Sequence, residues 1–211
     1  MAHISSSEDL VLHGVRVLGS PSAPRIADRF GLESAAVDEL LLDFAARGWV
    51  RRFEFAGSSG WSLTDTGRRE GERRLAAELD RAGARGAVAM AHVAFLPLNR
   101  RFGQAATEWQ IRPTAHDRMA VNDHCDPGWD RRVLATLAEL GRSFAALTDT
   151  LARSLTRFSG YAVRYCTALR KAEAGDVGWV DAPYRDSCHL VWIQFHEDLL
   201  ATLGIPRGAD T

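Results

Sequence analysis

The chain has 211 residues, of which 46% are hydrophobic, and a formal net charge of −1 at pH 7. This apolar content is enough for a packed core, and the balanced charge gives no overall attraction to nucleic acid or to a membrane, so a polyanion needs a local basic patch. No segment resembles a signal peptide or has the run of about 18 apolar residues that a membrane span needs, and three scattered cysteines make no disulfide framework. We therefore expect a globular, cytoplasmic protein with reduced thiols.

The start of the chain predicts three helices. Residues 5–7 can cap a first helix over residues 8–18, and Ser22 can cap a second, short helix. Gly31 supplies a tight turn, and a third helix follows over residues 34–47. A short helix, a tight turn and a second helix in this order are typical of a helix-turn-helix.

A β-hairpin is predicted directly after the third helix. Residues 49–55 have the composition of a strand, residues 56–60 form a turn, and residues 61–63 form the return strand. Thr64 can then cap a long, charged helix that extends to residue 82. The sequence therefore predicts a winged helix-turn-helix domain over residues 5–82, in which the hairpin is the wing.

Two segments, GWVRRFEF (residues 48–55) and WSLTDTGRREGERRL (residues 61–75), resemble the wing and the following helix of MarR-like winged helix-turn-helix transcriptional regulators. The resemblance is confined to the N-terminal part of the chain. It implies binding of double-stranded DNA, with the third helix in the major groove. The expected contacts come from the start of that helix and from neighbouring arginines: Arg25, Arg29, Ser34, Ala35, Arg51, Arg52, Arg68 and Arg69.

The start of the third helix is acidic, which is unusual for a helix that reads DNA. Glu33, Asp38 and Glu39 place carboxylates where the phosphates are approached. DNA binding would then depend on the arginines of the neighbouring elements. The alternative is that the winged helix contacts another protein and that the chain is an adaptor.

Residues 87–205 predict an all-α domain of about five helices. These helices are expected over residues 87–96, 98–109, 130–158, 161–174 and 184–203, and Pro97 separates the first two. The helix of residues 130–158 repeats apolar residues at nearly heptad spacing, which is typical of a helix that packs on other helices or on a partner chain. We expect it to help hold a homodimer.

The helical domain also contains many aromatic residues and a long polar loop over residues 114–129. Aromatic walls with a few polar groups favour an aromatic or drug-like effector. The residues that we expect to bind it are Trp109, Asn122, His124, Trp129, His189, Trp192 and His196. An aromatic core without a ligand is the alternative interpretation.

Histidine, cysteine and aspartate side chains in the same regions are also candidate ligands for zinc or iron(II). None of the strong metal-ligand spacings, such as HExxH or CxxC, occurs, so no metal site is assigned. In the plainer interpretation, Asp123 and Asp126 cap the following helix, and His124 and His189 form hydrogen bonds within the fold.

Sequence motifs of common enzyme classes are absent, because the chain has no GxSxG, P-loop or GxGxxG segment. We therefore predict no enzymatic activity and no cofactor. The predicted function is a homodimeric, ligand-responsive transcriptional regulator that binds double-stranded DNA. The alternatives are the adaptor and a metal-responsive regulator that uses the helical domain.

Overall fold

A computed structural model describes residues 2–55, 58–206 and 208 of the chain. Their structure is mainly helical with a small two-stranded antiparallel sheet, as the sequence predicts. The elements are α1 (Ser7–Val17), α2 (Ala23–Phe30), α3 (Ser34–Ala46), β1 (Val50–Phe55), β2 (Ser58–Leu63), α4 (Asp65–Ala82), α5 (Arg85–Gln110), α6 (Pro127–Ala152), α7 (Tyr161–Glu173) and α8 (Cys188–Leu203). Short 3₁₀ turns occur at Thr156–Phe158 and Val177–Trp179.

Tertiary contacts divide the chain into two compact units. The first unit consists of Met1–Val88, Arg153–Arg157 and Gln194–Thr211, and the second of Ala89–Ala152 and Phe158–Ile193. The first unit is therefore not continuous in sequence. It includes the second half of α8, which the sequence assigns to the helical domain.

The core of the first unit forms where α1, α2 and α3 pack together. Ser6 caps α1 by accepting a hydrogen bond from the Asp9 amide at 3.1 Å. Ile26 of α2 and Val37 and Leu41 of α3 are fully buried, because their helical spacing places them on the facing sides of the two helices. Gly31 joins the two helices with φ of 66°, the left-handed conformation that glycine adopts most readily.

Strands β1 and β2 form an antiparallel hairpin in which Val50 pairs with Leu63 and Phe55 pairs with Ser58. The return strand thus begins at Ser58, three residues before the predicted start. Gly60 permits this extension, because a Cβ at that position would collide with the carbonyl oxygen of Ser20. The other two predicted turn residues, Ala56 and Gly57, lie outside the described residues.

Helix α4 begins at the predicted cap and packs on α1. The Thr64 hydroxyl accepts a hydrogen bond from the Gly67 amide at 3.0 Å and donates one to the Gly48 carbonyl at 2.7 Å. Gly67 lies directly against the backbone of Trp49 and leaves no room for a side chain. The first turn of α4 is therefore attached to the start of the hairpin.

Two helix boundaries of the second unit differ from the prediction. Helix α5 continues through Pro97 instead of breaking there. Pro97 removes the hydrogen bond to the Val93 carbonyl, but both residues are exposed, so water can solvate that carbonyl. Helix α6 ends at Ala152 rather than at residue 158, because Leu155 is buried in the first unit and pairs with His3 in an isolated bridge.

The core of the second unit is aromatic. The Trp192 ring stacks on Phe102, with centroids 4.4 Å apart, and on Phe144 at 4.9 Å. Tyr165 contacts this stack and donates a hydrogen bond from its hydroxyl to the Leu137 carbonyl at 2.9 Å. Gly141 of α6 allows the approach of α7, because a Cβ there would lie 2.8 Å from the Tyr165 ring. Helix α8 begins at Cys188, four residues later than predicted.

Candidate functional site

All eight residues predicted to contact DNA lie in the first unit. Ala35 and the arginines of the hairpin and of the start of α4 are exposed: Arg51, Arg52, Arg68 and Arg69. Arg25, Arg29 and Ser34 are half-buried. Arg29 is held by the fold, because its Nη2 donates to the Arg157 carbonyl at 3.1 Å and its guanidinium lies 4.9 Å from the centroid of Phe30.

Three of the exposed arginines have weak partners among the described residues. Arg51 Nε donates to the Ser62 hydroxyl at 3.3 Å, and Arg69 Nη2 donates to the Thr66 hydroxyl at the same distance. Arg52 pairs with Glu54 at 3.3 Å, but both side chains are more than half exposed. Ion pairs in water contribute little, so these guanidinium groups can exchange their partners for an external anion.

A depression of about 170 Å³ lies between the hairpin and the helices α2 and α3. Its lining includes Ser22, Pro24, Asp38, Arg52 and Trp61. Ser22 lies at the predicted N-cap position of α2, but its side chain forms no capping hydrogen bond, and the first residues of α2 line the depression. The negative charge of Asp38 offsets the positive charge of Arg52, so the depression has mixed charge and is not a strong anion site.

The outward face of α3 is acidic. Its carboxylates come from Glu33, Asp38, Glu39 and Asp43, all of which are exposed. None of the four forms an ion pair with another residue in the described part of the chain. Leu42 lies among them with 63% of its surface exposed. The helix therefore presents negative charge around one large exposed apolar side chain.

The second unit brings together four of the predicted effector residues around the start of α6: Trp109, Asn122, His124 and Trp129. His124 Nδ1 lies 3.0 Å from Asp130 Oδ2, and the His124 ring packs 4.6 Å from that of Trp109. The buried Asn122 amide donates to Asp130 Oδ1 and to the Trp109 carbonyl, both at 3.0 Å. Trp129 is attached to the same helix end, because its indole donates to the Glu108 carbonyl at 2.7 Å.

The remaining predicted effector residues lie elsewhere. Trp192 belongs to the aromatic core and donates to Asn99 Oδ1 at 2.9 Å. His189 is in the same core, with its ring 5.8 Å from Phe102, and burial lowers its pKa, which favours the neutral imidazole. His196 belongs to the first unit. The seven residues therefore do not line one common surface.

Aspartates of the polar loop act as local caps. Asp126 Oδ1 accepts hydrogen bonds from the amides of Gly128 and Trp129 at 2.9 and 3.0 Å, and the Trp129 bond lowers the pKa of this carboxyl. Asp123 accepts from the Cys125 amide at 3.1 Å and caps the turn rather than the helix. In the described ranges, no three histidine, cysteine, aspartate or glutamate side chains are arranged to hold a metal ion.

A buried charge cluster in the first unit was not predicted from the sequence. Arg157 donates to Glu78 Oε2 at 3.0 Å, to the Thr202 hydroxyl at 2.7 Å and to the Asp198 carboxylate. His13 Nε2 lies 3.0 Å from Asp198 Oδ1. Isolated residues of three helices and one turn supply this cluster, so no local pattern marks it.

Comparison of the chain with protein-family models, with curated proteins and with solved structures gives no match. The resemblance to MarR-like regulators therefore depends on the quoted residues alone. None of the helices in the described part of the chain is long and apolar enough to cross a membrane.

Proposed function

We propose that this protein is a transcriptional regulator that binds double-stranded DNA, and that its first unit is a winged helix-turn-helix. The observation that carries the proposal is the order of α2, the Gly31 turn, α3 and a hairpin with exposed arginines. Helix α3 would enter the major groove. Arg51 and Arg52 of the hairpin and Arg68 and Arg69 of α4 would contact the phosphates.

The acidic face of α3 determines how affinity is divided within this interface. Its carboxylates repel phosphates, so the attraction has to come from arginines on the neighbouring elements. Such binding is strongly dependent on salt, because each neutralised phosphate releases counterions. We expect modest affinity for random DNA and a clearly higher affinity for the operator sequence.

Regulation would require a second copy and an effector, and both belong to the proposal. A homodimer would place two reading helices on successive half-sites of an operator. We propose that an effector binds at the corner formed by Trp109, Asn122 and His124, where Trp109 and Asn122 are buried and the half-buried His124 imidazole is oriented by the Asp130 carboxylate. An effector acts by stabilising one arrangement of the two DNA-binding units.

Fluorescence anisotropy with labelled duplexes tests the DNA proposal. Binding should weaken steeply with salt, and the double variant R51Q/R68Q should reduce the slope of log K against log salt by about 0.9 for each phosphate that the variant no longer neutralises. The matched control is R131Q/R142Q, which removes two exposed arginines of α6 and should leave the slope unchanged. Absence of salt-sensitive binding, or equal effects of the two variants, would contradict the proposal.

A protein-binding adaptor is the second candidate, and the acidic face of α3 with exposed Leu42 favours it. A partner for this face would be basic and would offer an apolar pocket for the leucine. The two functions differ in their response to R51Q/R68Q, which would weaken DNA binding but leave the docking of a protein on the face of α3 in place.

A further inference from the structure

The centre of the outward face of α3 is occupied by Glu39. This residue follows the buried Val37 by two positions, so its side chain projects about 200° away around the helix axis. Ala35 lies one turn before Glu39 and Leu42 one turn after it, and both are exposed. In the first three turns of α3, Glu39 is thus the polar side chain directed most squarely away from the fold.

We propose that Glu39 reads a cytosine in the major groove of the operator, an inference that rests on the proposed DNA binding. A carboxylate offers only hydrogen-bond acceptors. Guanine presents two acceptors in the major groove, and thymine presents an acceptor and a methyl group. Adenine places an acceptor beside its amino group, whereas cytosine presents its amino donor without a neighbouring acceptor. Cytosine is therefore the base from which a carboxylate at this position can accept a hydrogen bond.

The neighbours of Glu39 extend this reading by apolar contact. The methyl group of Ala35 and the exposed side chain of Leu42 can both pack against a thymine methyl, and neither can donate a hydrogen bond. The exposed positions of α3 include no arginine, lysine, asparagine or glutamine, which are the side chains that read guanine or adenine in a bidentate manner. We expect a half-site in which a cytosine is flanked by thymine on the strand that faces α3.

The carboxylates of α3 also weaken binding by repelling the phosphates, and the arginines of the hairpin and of α4 offset this repulsion. In the major groove Glu39 would approach phosphates on both sides, and their charge would repel it. The hydrogen bond to cytosine offsets this repulsion where the base is correct and leaves it unopposed elsewhere. A carboxylate here therefore gives specificity mainly by rejecting wrong sequences, while the arginines give affinity.

The test is selection of a random-sequence duplex library by the full-length protein, followed by anisotropy titrations of duplexes that differ at one base pair. The wild-type protein should prefer cytosine at one position of each half-site by about tenfold or more. E39Q should move the preference at that position to adenine, because glutamine pairs with adenine N6 and N7. Glu39 is exposed and makes no ion pair among the described residues, so this variant should fold normally, as a thermal melt will show.

D43N is the matched control, because it removes one carboxylate from the same helix farther from the start. It should raise affinity for all duplexes equally and leave the preferred base unchanged. Retention of the cytosine preference by E39Q, or wild-type binding without any cytosine preference, would overturn the inference and leave the proposed DNA binding intact. Absence of binding to every duplex would instead overturn the proposed function.

Discussion

Replacement of Arg157 by methionine should destabilise the first unit strongly. Arg157 is buried, and burial by itself lowers its pKa, but the charges of Asp198 and Glu78 outweigh that effect and raise the pKa above its ordinary value. The guanidinium is therefore charged and neutralises two carboxylates that are each 1% exposed. In R157M the methionine fills much of the volume, but both carboxylates lose their cation.

The size of the stability loss depends on the partners that Glu78 and Asp198 keep in R157M. Glu78 keeps only a hydrogen bond from Ser5 and a more distant contact with His3, and Asp198 keeps His13 and the Thr202 hydroxyl. Removal of one partner from a buried ion pair costs about 3–5 kcal/mol, a large part of the 5–15 kcal/mol that stabilises a typical domain. We expect a loss in that range at pH 7.

Urea denaturation followed by circular dichroism measures this loss. The matched control is R101M, which removes an arginine that makes two hydrogen bonds to the Glu139 carboxylate in an exposed pair. R101M should unfold with the wild-type midpoint, and neutralisation of the Glu78 and Asp198 carboxylates in R157M/E78Q/D198N should recover part of the loss. If R157M and R101M unfold at the same urea concentration, the cluster does not stabilise the fold as argued.

Three further predictions concern local features. G67A should lower the free energy of unfolding by about 1–3 kcal/mol, because its Cβ would collide with the Trp49 backbone. G103A has open space on its helix and should raise the free energy of unfolding by about 0.5–1 kcal/mol. Thermal melts of both variants test these opposite effects. Burial raises the pKa of Cys188 to about 12. A thiol reagent at pH 8 should therefore modify the exposed Cys125 and Cys166 of the folded chain, and Cys188 only in denaturant. Rapid modification of all three thiols in the folded chain would disprove this. A hydrogen bond from Arg73 is the main cause that lowers the pKa of Glu70 from 4.5 to about 2. E70Q should therefore lower the free energy of unfolding by about 1 kcal/mol at pH 7, and by progressively less as the pH falls from 4.5 towards 2. A loss of stability that does not depend on pH would contradict this assignment.

The signals that correctly placed the first elements were local. Caps at Ser6 and Thr64 satisfy amides within three residues, and Gly31 adopts a left-handed turn that few other residues tolerate. Such interactions depend on neighbours in sequence, so they can be evaluated without a structure. The mainly helical fold and its hairpin followed from these signals and from helical periodicity.

Boundaries that depend on distant contacts were predicted less well. Pro97 does not break α5 because the face that loses a hydrogen bond is open to water, and exposure is a tertiary property. The helix predicted over residues 130–158 extends past the true end of α6, because the apolar Leu155 is buried in the first unit rather than along that helix. A pattern shows that a residue is buried but not against what.

The sequence by itself determined the order of the helices and the hairpin, and it indicated which arginines are candidates for phosphate contact. Only the tertiary structure showed that Asp38 shares a depression with Arg52, that Trp109, Asn122 and His124 meet, and that His196 lies in the other unit. It alone revealed Arg157 beside Glu78, 79 residues earlier in the chain. The physical reason is that caps and periodicity act within a few residues, whereas burial and charge pairing depend on which distant segments the fold brings together.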